Sequence, residues 1–192
     1  MTREHLAEYL AALDRAANHK NMRIRAAIGK PASHASIVNL ESRLGVALPN
    51  DYRESLLEWD GFLIELREPP TASNIDGSYY AEWSALDVAN VVAATEVVRE
   101  QINSAAEAAD EARRSAAAAA AQRMIVISSL NDICVFLSGS DTNETCVRAM
   151  NLEYALGESP PKSEVIASSP DDYFGKAFAK LSNTLETEIY WW

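Results

Sequence analysis

Leu6, Tyr9, Leu10 and Leu13 recur at the spacing of one helical face, with Thr2 placed to cap the start and Asn18 to Asn21 to end it. This predicts a first amphipathic helix. Ile24 to Ser36 holds Gly29, Pro31 and two serines without a sustained period, which predicts a connection, and Ser36 is placed to cap the next helix. Ile37, Leu40 and Leu44 form a second stripe stopped by Gly45, the residue best able to take the left-handed conformation beyond a helix end. Asn50 as cap and Asp51 in the first turn open a third helix, with Tyr52, Leu56 and Trp59 on one face and Gly61 at its end. The period then changes. Phe62, Ile64 and Leu66 alternate with Leu63 and Glu65, the signature of a strand, closed by Pro69-Pro70. After a loop through Asn74, Asp76 and Gly77, Tyr79 to Trp83 reads as an aromatic strand. Ser84 with Asp87 forms a capping box for a fourth helix that buries Val88, Val91, Val92, Thr95 and Ile102.

From Ser104 to Gln122 large apolar residues are missing and alanines run from Ala116 to Ala121. Alanine favours helix but brings little surface to bury, so this segment is expected to project from the core or skirt it, as an insertion-like arm. Strand character returns at Met124 to Ser128, Ile133 to Leu137 and Thr145 to Met150, with turn-rich links that predict two hairpins. Val165 to Ala167 is a short edge strand. Ser169-Pro170-Asp171-Asp172 then opens a last helix whose core face is Tyr173, Phe174, Ala177, Phe178 and Leu181. Helices cluster first and hairpins come after them, so the expected class is α+β, an antiparallel sheet of hairpins packed with helices. No strand leads into a glycine-rich phosphate loop.

Length and composition narrow the picture. A chain of 192 residues that is 48% hydrophobic and 23% charged is a single globular domain, neither disordered nor a disulfide scaffold. Twenty-eight acidic against 17 basic residues give a net charge of −11, which opposes binding to nucleic acid or an anionic membrane and favours a basic partner. Cys134 and Cys146 sit in apolar strand-like stretches and are expected as free thiols in a reducing cytoplasm. The polar start is unlike a signal peptide, and no run of eighteen apolar residues occurs.

Candidate chemistry is sparse. His5, His19 and His34 have no cysteine or acid at metal-ligand spacing, so no metal or cofactor is expected. No Gly-x-Ser-x-Gly elbow is present, and Ser138 to Asp141 reads as a hairpin turn. Asp171-Asp172 serves a helix start. What remains suits a protein interface. Glu65, Glu68 and Asp76 bracket a proline-bounded loop beside Tyr79 and Tyr80, a mixture of acids and rigid aromatics that fits basic side chains. Asp60 joins them, because a negative charge at a helix end needs something to offset it. The terminal Ile189-Tyr190-Trp191-Trp192 is expected to pack on this subunit or to form a homodimer.

Ile37, Leu40, Glu41, Leu44-Gly45, Leu48-Pro49, Tyr52-Arg53, Leu56-Leu57 and Trp59-Asp60-Gly61 resemble the SMI1/KNR4 family of the SUKH superfamily. Trp83 to Leu86 ahead of a helix, the strands at Met124 and Ile133, and the closing Ser168 to Phe178 extend the resemblance over most of residues 33 to 181. Asp60 stands where the family usually has asparagine or histidine. The resemblance implies a protein-binding module with no chemistry of its own. Many bacterial members are immunity proteins that neutralise polymorphic toxins, often nucleases, and fungal relatives regulate cell-wall synthesis. The expectation is therefore a cytoplasmic immunity protein that binds and blocks a basic cognate toxin, with a regulatory or scaffold protein as the alternative and an enzyme ranked last.

Overall fold

The computed structural model describes residues 1–71, 79–107, 109–130, 133–138, 146–151 and 163–187. In chain order these form α1 (Arg3–His19), β1 (Arg23–Ile28), α2 (His34–Leu44), α3 (Asn50–Glu58), β2 (Phe62–Arg67), β3 (Tyr79–Ala85), α4 (Val88–Ala106), α5 (Glu111–Gln122), β4 (Met124–Leu130), β5 (Ile133–Ser138), β6 (Val147–Asn151), β7 (Glu164–Ala167) and α6 (Pro170–Thr187). The class is the expected α+β. The expected single sheet is instead two antiparallel sheets, ordered β1-β2-β3 and β4-β5-β6-β7.

The sheets meet at β3 and β4. Between Val126 and Ser128 the β4 register slips by one residue, so Ile127 has no partner on β5. This bulge leaves the Ile127 carbonyl to accept from Leu86 N at 2.9 Å, while Val126 N donates to Thr95 Oγ1 of α4 at 2.9 Å. Ser128 Oγ adds a bond to Ser84 O at 2.6 Å.

Burial differs sharply between the sheets. In the second, Ile125, Ile127, Val135, Leu137 and Val147 enter the main core, and Met124, Val126, Cys134, Phe136 and Met150 enter a second core beneath α4 and α5. Both faces are therefore covered, which explains its continuous apolar runs. In the first, β2 alternates strictly: Phe62, Ile64 and Leu66 are buried and Leu63, Glu65 and Arg67 are only half-buried. Its covered face carries Trp83, which meets Phe62 and Phe178 with ring centroids 4.7 Å apart in each case.

Several boundaries depart from the sequence expectations. The stretch expected to be a connection from Ile24 contains β1, which runs antiparallel to β2 from Arg23 opposite Arg67 to Ile28 opposite Phe62. Ile24, Ala26 and Ile28 share one face at the strand period, but with alanine in the middle and Gly29 and Pro31 following, the alternation is too short and weak to stand out. The α2 cap is Ser33, which accepts from Ser36 N at 3.0 Å, and not Ser36. Pro49 is the cap of α3 and Asn50 its first residue, and that helix ends at Glu58, short of Gly61. Ser84 belongs to β3, leaving Asp87 to cap α4 through Asn90 N at 2.8 Å. Gly45 does take the left-handed conformation, with φ +69°.

The alanine-rich helix skirts the molecule and does not project. Ala117 and Ala121 are buried in the second core with Val98, Ile102 and Ala106 of α4, since small side chains let the two helices approach closely. Arg99 of α4 fixes this pair. Its guanidinium donates to the carbonyls of Leu44 at 2.8 Å, Gln122 at 2.6 Å and Met124 at 3.0 Å, serving the last turns of α2 and α5 and the first residue of β4.

Cys134 and Cys146 are free thiols. Cys134 stands opposite Met150, whereas Leu137 faces Val147, so Cys146 lies about 13 Å from Cys134 along the ladder, too far for a disulfide. Burial pushes the Cys134 thiol up to about 12, which keeps it unreactive.

The last helix opens as expected, with Asp172 N donating to Ser169 Oγ at 3.1 Å. The Asp172 carboxylate accepts from Lys176 Nζ at 2.8 Å and Ser168 N at 2.9 Å, and these bonds hold its pKa at about 2. The stability it contributes is present above pH 3.8 and is lost as the pH falls toward 2, which NMR titration of the carboxyl in the folded protein will show. Replacing Arg99 with alanine strands three carbonyls and should lower the unfolding free energy by about 2–3 kcal/mol in urea denaturation, with lysine recovering only part.

Candidate functional site

Three successive residues between α3 and β2 build the site. Trp59 is fully buried, its Nε1 donating to the Met1 carbonyl at 3.0 Å and its ring meeting Phe174 edge-on at 5.1 Å. Asp60 follows the negative end of α3 but turns its carboxylate away, to accept from Val88 N at 2.6 Å in the first turn of α4. The charge thus leaves an unfavourable helix end for a favourable one. Gly61 has φ +76°, and a Cβ there would stand 2.7 Å from Asp87 N and 2.9 Å from its Cα.

The segment after β1 closes against this corner. Gly29 N donates to Gly61 O at 2.9 Å, Asp60 N to Lys30 O at 3.1 Å and Ala32 N to Leu56 O at 2.9 Å. A Cβ on Gly29 would overlap the Asp60 carbonyl at 1.8 Å, so only glycine permits the approach. Glu41 welds the helices behind it, accepting from Leu48 N at 2.8 Å and pairing with Arg53.

At the strand ends this corner leaves an open cleft of about 400 Å³. Ile28, Phe62, Leu63 and Leu86 supply apolar walls, and Asp60, Asp87 and Asn90 supply the polar rim. Burial raises the Asp60 pKa above its usual value, against the lowering effect of the Val88 bond, and the Asp87 charge adds to the rise. Tyr52 lies fully buried among these groups, and desolvation first, then the charges of Asp60 and Asp87, drive its phenol up.

Beyond the cleft the face of the first sheet turned away from the core continues in rows set by register. Ala27, Leu63 and Ser84 form the row at the cleft, Arg25, Glu65 and Glu82 the next, and Arg23 and Arg67 stand beyond. Glu65 accepts from Arg67 Nε at 3.2 Å and Nη2 at 3.3 Å, and Arg25 lies 3.8 Å away. The Arg67 hydrogen bond and both guanidinium charges hold its carboxyl below the usual range.

The six residues marked in the sequence do not form one loop cluster. Asp60 is on the cleft rim, Glu65 is on the open sheet face and already paired, and Glu68 is exposed just past β2. Tyr79 and Tyr80 lie on β3. Their side chains, Asp76 and the aromatic terminus from 188 are outside the described residues. The sequence reading missed Gly29, Arg25, Arg67, Glu82 and Asn90. The polar alternation of Leu63, Glu65 and Arg67 was the available signal for an uncovered face, whereas the Gly29 contact depends on pairing across more than thirty residues.

Among the described residues no group of three or more histidine, cysteine or acidic side chains could hold a metal ion. No helix among them is long and apolar enough to cross a membrane.

Three substitutions separate the roles in the corner. Gly61→Ala should cost about 3 kcal/mol, combining the left-handed conformation with the clash at Asp87. Asp60→Ala should cost about 1 kcal/mol by uncapping Val88, and Asp60→Asn, which keeps an acceptor, about 0.5 kcal/mol or less. Because burial raises the Asp60 pKa, the ionised form is the disfavoured one, so the asparagine variant gains on the native protein as pH rises above 3.8 toward neutrality. Chemical denaturation across that range measures all three.

Among curated proteins no sequence matches the chain. A family model, the SMI1 / KNR4 family (SUKH-1), matches residues 31–176, which hold every element from α2 through β7 and the start of α6. The Trp59-Asp60-Gly61 corner, the Glu41 weld, β2 and the cleft rim at Asp87 all fall inside the match. With this stretch covering about three-quarters of its length, the chain belongs to the SMI1/KNR4 family, SUKH-1.

Proposed function

We propose that this chain is an immunity protein that neutralises a cognate bacterial toxin, a basic nuclease, by binding it and blocking its active site or substrate path. The toxin contacts the open face of the β1-β2-β3 sheet together with the cleft at its end. One observation carries the reading: the second sheet is covered on both sides, whereas the first turns a face of half-buried residues outward and runs into a cleft edged by carboxylates. Such a face suits a partner of complementary shape and charge.

Membership of a family that includes immunity proteins supports the same reading. The net charge of −11 would speed encounter with a basic toxin and offer carboxylates where the toxin holds phosphate. Inhibition is then steric and electrostatic, without bond chemistry in this chain, and takes place in the cytoplasm of the toxin's host.

The test is capture of partners by the tagged protein in its own host, with mass spectrometry of the proteins that co-purify stoichiometrically. A basic protein with a toxin-like domain is the expected result, and its association rate should fall at least tenfold between about 50 and 500 mM salt. Recovery of a cell-wall or other cellular complex in its place, or a rate indifferent to salt, would contradict the proposal.

A further inference from the structure

Among the described residues β1 is a free edge of the first sheet, with β2 on one side and no strand on the other. Gly29 N donates to Gly61 O as the next step of the β1–β2 ladder. Arg23, Arg25 and Ala27 therefore exchange their backbone bonds with β2, and Ile24, Ala26 and Ile28 turn theirs to the opposite side. None of the N–H and C=O groups of those three residues has a partner among the described residues. Proteins blunt such an edge with a bulge, a proline or a charge aimed inward. β1 has none of these. Its register with β2 is unbroken from Arg23 to Ile28, it holds no proline, and its two charges lie on the face turned away from the core. Arg23, Arg25, Ala26 and Ala27 are exposed, and Ile24 and Ile28 are half-buried.

The order of side chains along this edge is self-complementary. In an antiparallel pair centred on Ala26, Ile24 stands opposite Ile28 of a second copy and Ala26 opposite its counterpart, while on the other face Arg25 meets Ala27 and Arg23 meets Gly29. Each half-buried isoleucine gains an apolar neighbour, and the alanines let the strands approach. Arg25 stays with its own Glu65, 3.8 Å away. Arg23 has no ion pair among the described residues, whereas Gly29 lines the cleft together with Asp60 and Asp87. This register carries the free arginine of each copy to the acidic rim of the other. In a chain of net charge −11, β1 holds two cations and no acid, so an acidic surface can approach it, and a second copy supplies one. We propose that two copies of this chain pair through their β1 edges about a two-fold axis, joining their three-stranded sheets into one continuous sheet with Arg23 of each at the cleft rim of the other.

A strand pair without further elements is a small interface, so a dissociation constant of about 10–100 μM is expected. Sedimentation equilibrium of the purified full chain across that range measures it, and amide hydrogen exchange at the same concentrations locates it. A monomer–dimer equilibrium is expected, in which the Ile24, Ala26 and Ile28 amides slow as concentration rises and the amides of the second sheet do not. Ala26→Pro removes an N–H that the single chain does not use, so it should abolish the dimer while Tm stays within about 2 °C. Arg23→Glu, an exposed change that does not touch the fold, should weaken the dimer about tenfold, and decides the matter where the proline variant is destabilised. A monomer at every concentration, a dimer that survives both substitutions, or edge amides that slow only when a different protein is added would overturn the proposal. The experiment contains no toxin, so its outcome is separate from that of partner capture.

Discussion

Between α3 and β2 the chain must leave a helix, reverse and enter a sheet within three residues, and every neighbouring element is built around how it does so. Trp59 anchors the turn in the aromatic core beside Phe62 and Phe174. Asp60 hands its charge to the first turn of α4, and Gly61 brings the backbone against Asp87 at a distance no side chain allows. Gly29 closes the other side through the Gly61 carbonyl. Burial, charge and backbone conformation therefore act at one point, and the cleft is the space they leave. Gly29 and Gly61 both line it, and a side chain on either would strike the backbone of the corner at Asp60 or Asp87.

The division of labour between the sheets comes from the elements that cover them. The β4-β5-β6-β7 sheet lies between the main core and the α4–α5 pair, with Arg99 and Thr95 fixing that pair to β4. Its residues serve stability on both faces. The β1-β2-β3 sheet sends Ile64, Leu66 and Trp83 inward and leaves its other side to arginine, glutamate, serine and one leucine. This face runs into the cleft at the strand ends.

What the sequence made legible is local. The α2 stripe, the Gly45 stop, the β2 alternation and the Ser169 start all depend on neighbours within a few positions, and each stands where it was read; of the α3 stripe, Tyr52 and Leu56 lie in the helix while Trp59 follows it in extended backbone. Elements whose structure comes from distant partners were not legible. β1 does alternate from Arg23 to Ala26, but the run is short, its middle apolar residue is only alanine and Gly29 and Pro31 follow at once, so the strand is not evident until β2 is seen to pair with it. The split into two sheets depends on a bulge at Ile127 whose carbonyl bonds Leu86, forty-one residues back. The site shows the same limit. Asp60 was marked because its charge was misplaced by local rules, and the solution, the Val88 amide, lies 28 residues away. Glu65 was read as a loop acid awaiting a basic partner, whereas Arg67 and Arg25 already hold it.

The corner is a part of the core, so the cleft is present before any partner arrives. Native-state amide hydrogen exchange at Gly29 and Val88 tests this most directly, because their donors bond only to the corner. Both amides should exchange through the same global opening as Leu56 and Ile64, with matching free energies and matching denaturant dependence. Fast exchange at Gly29 and Val88 while Leu56 and Ile64 stay protected would show a corner that opens by itself, and would contradict a preformed cleft.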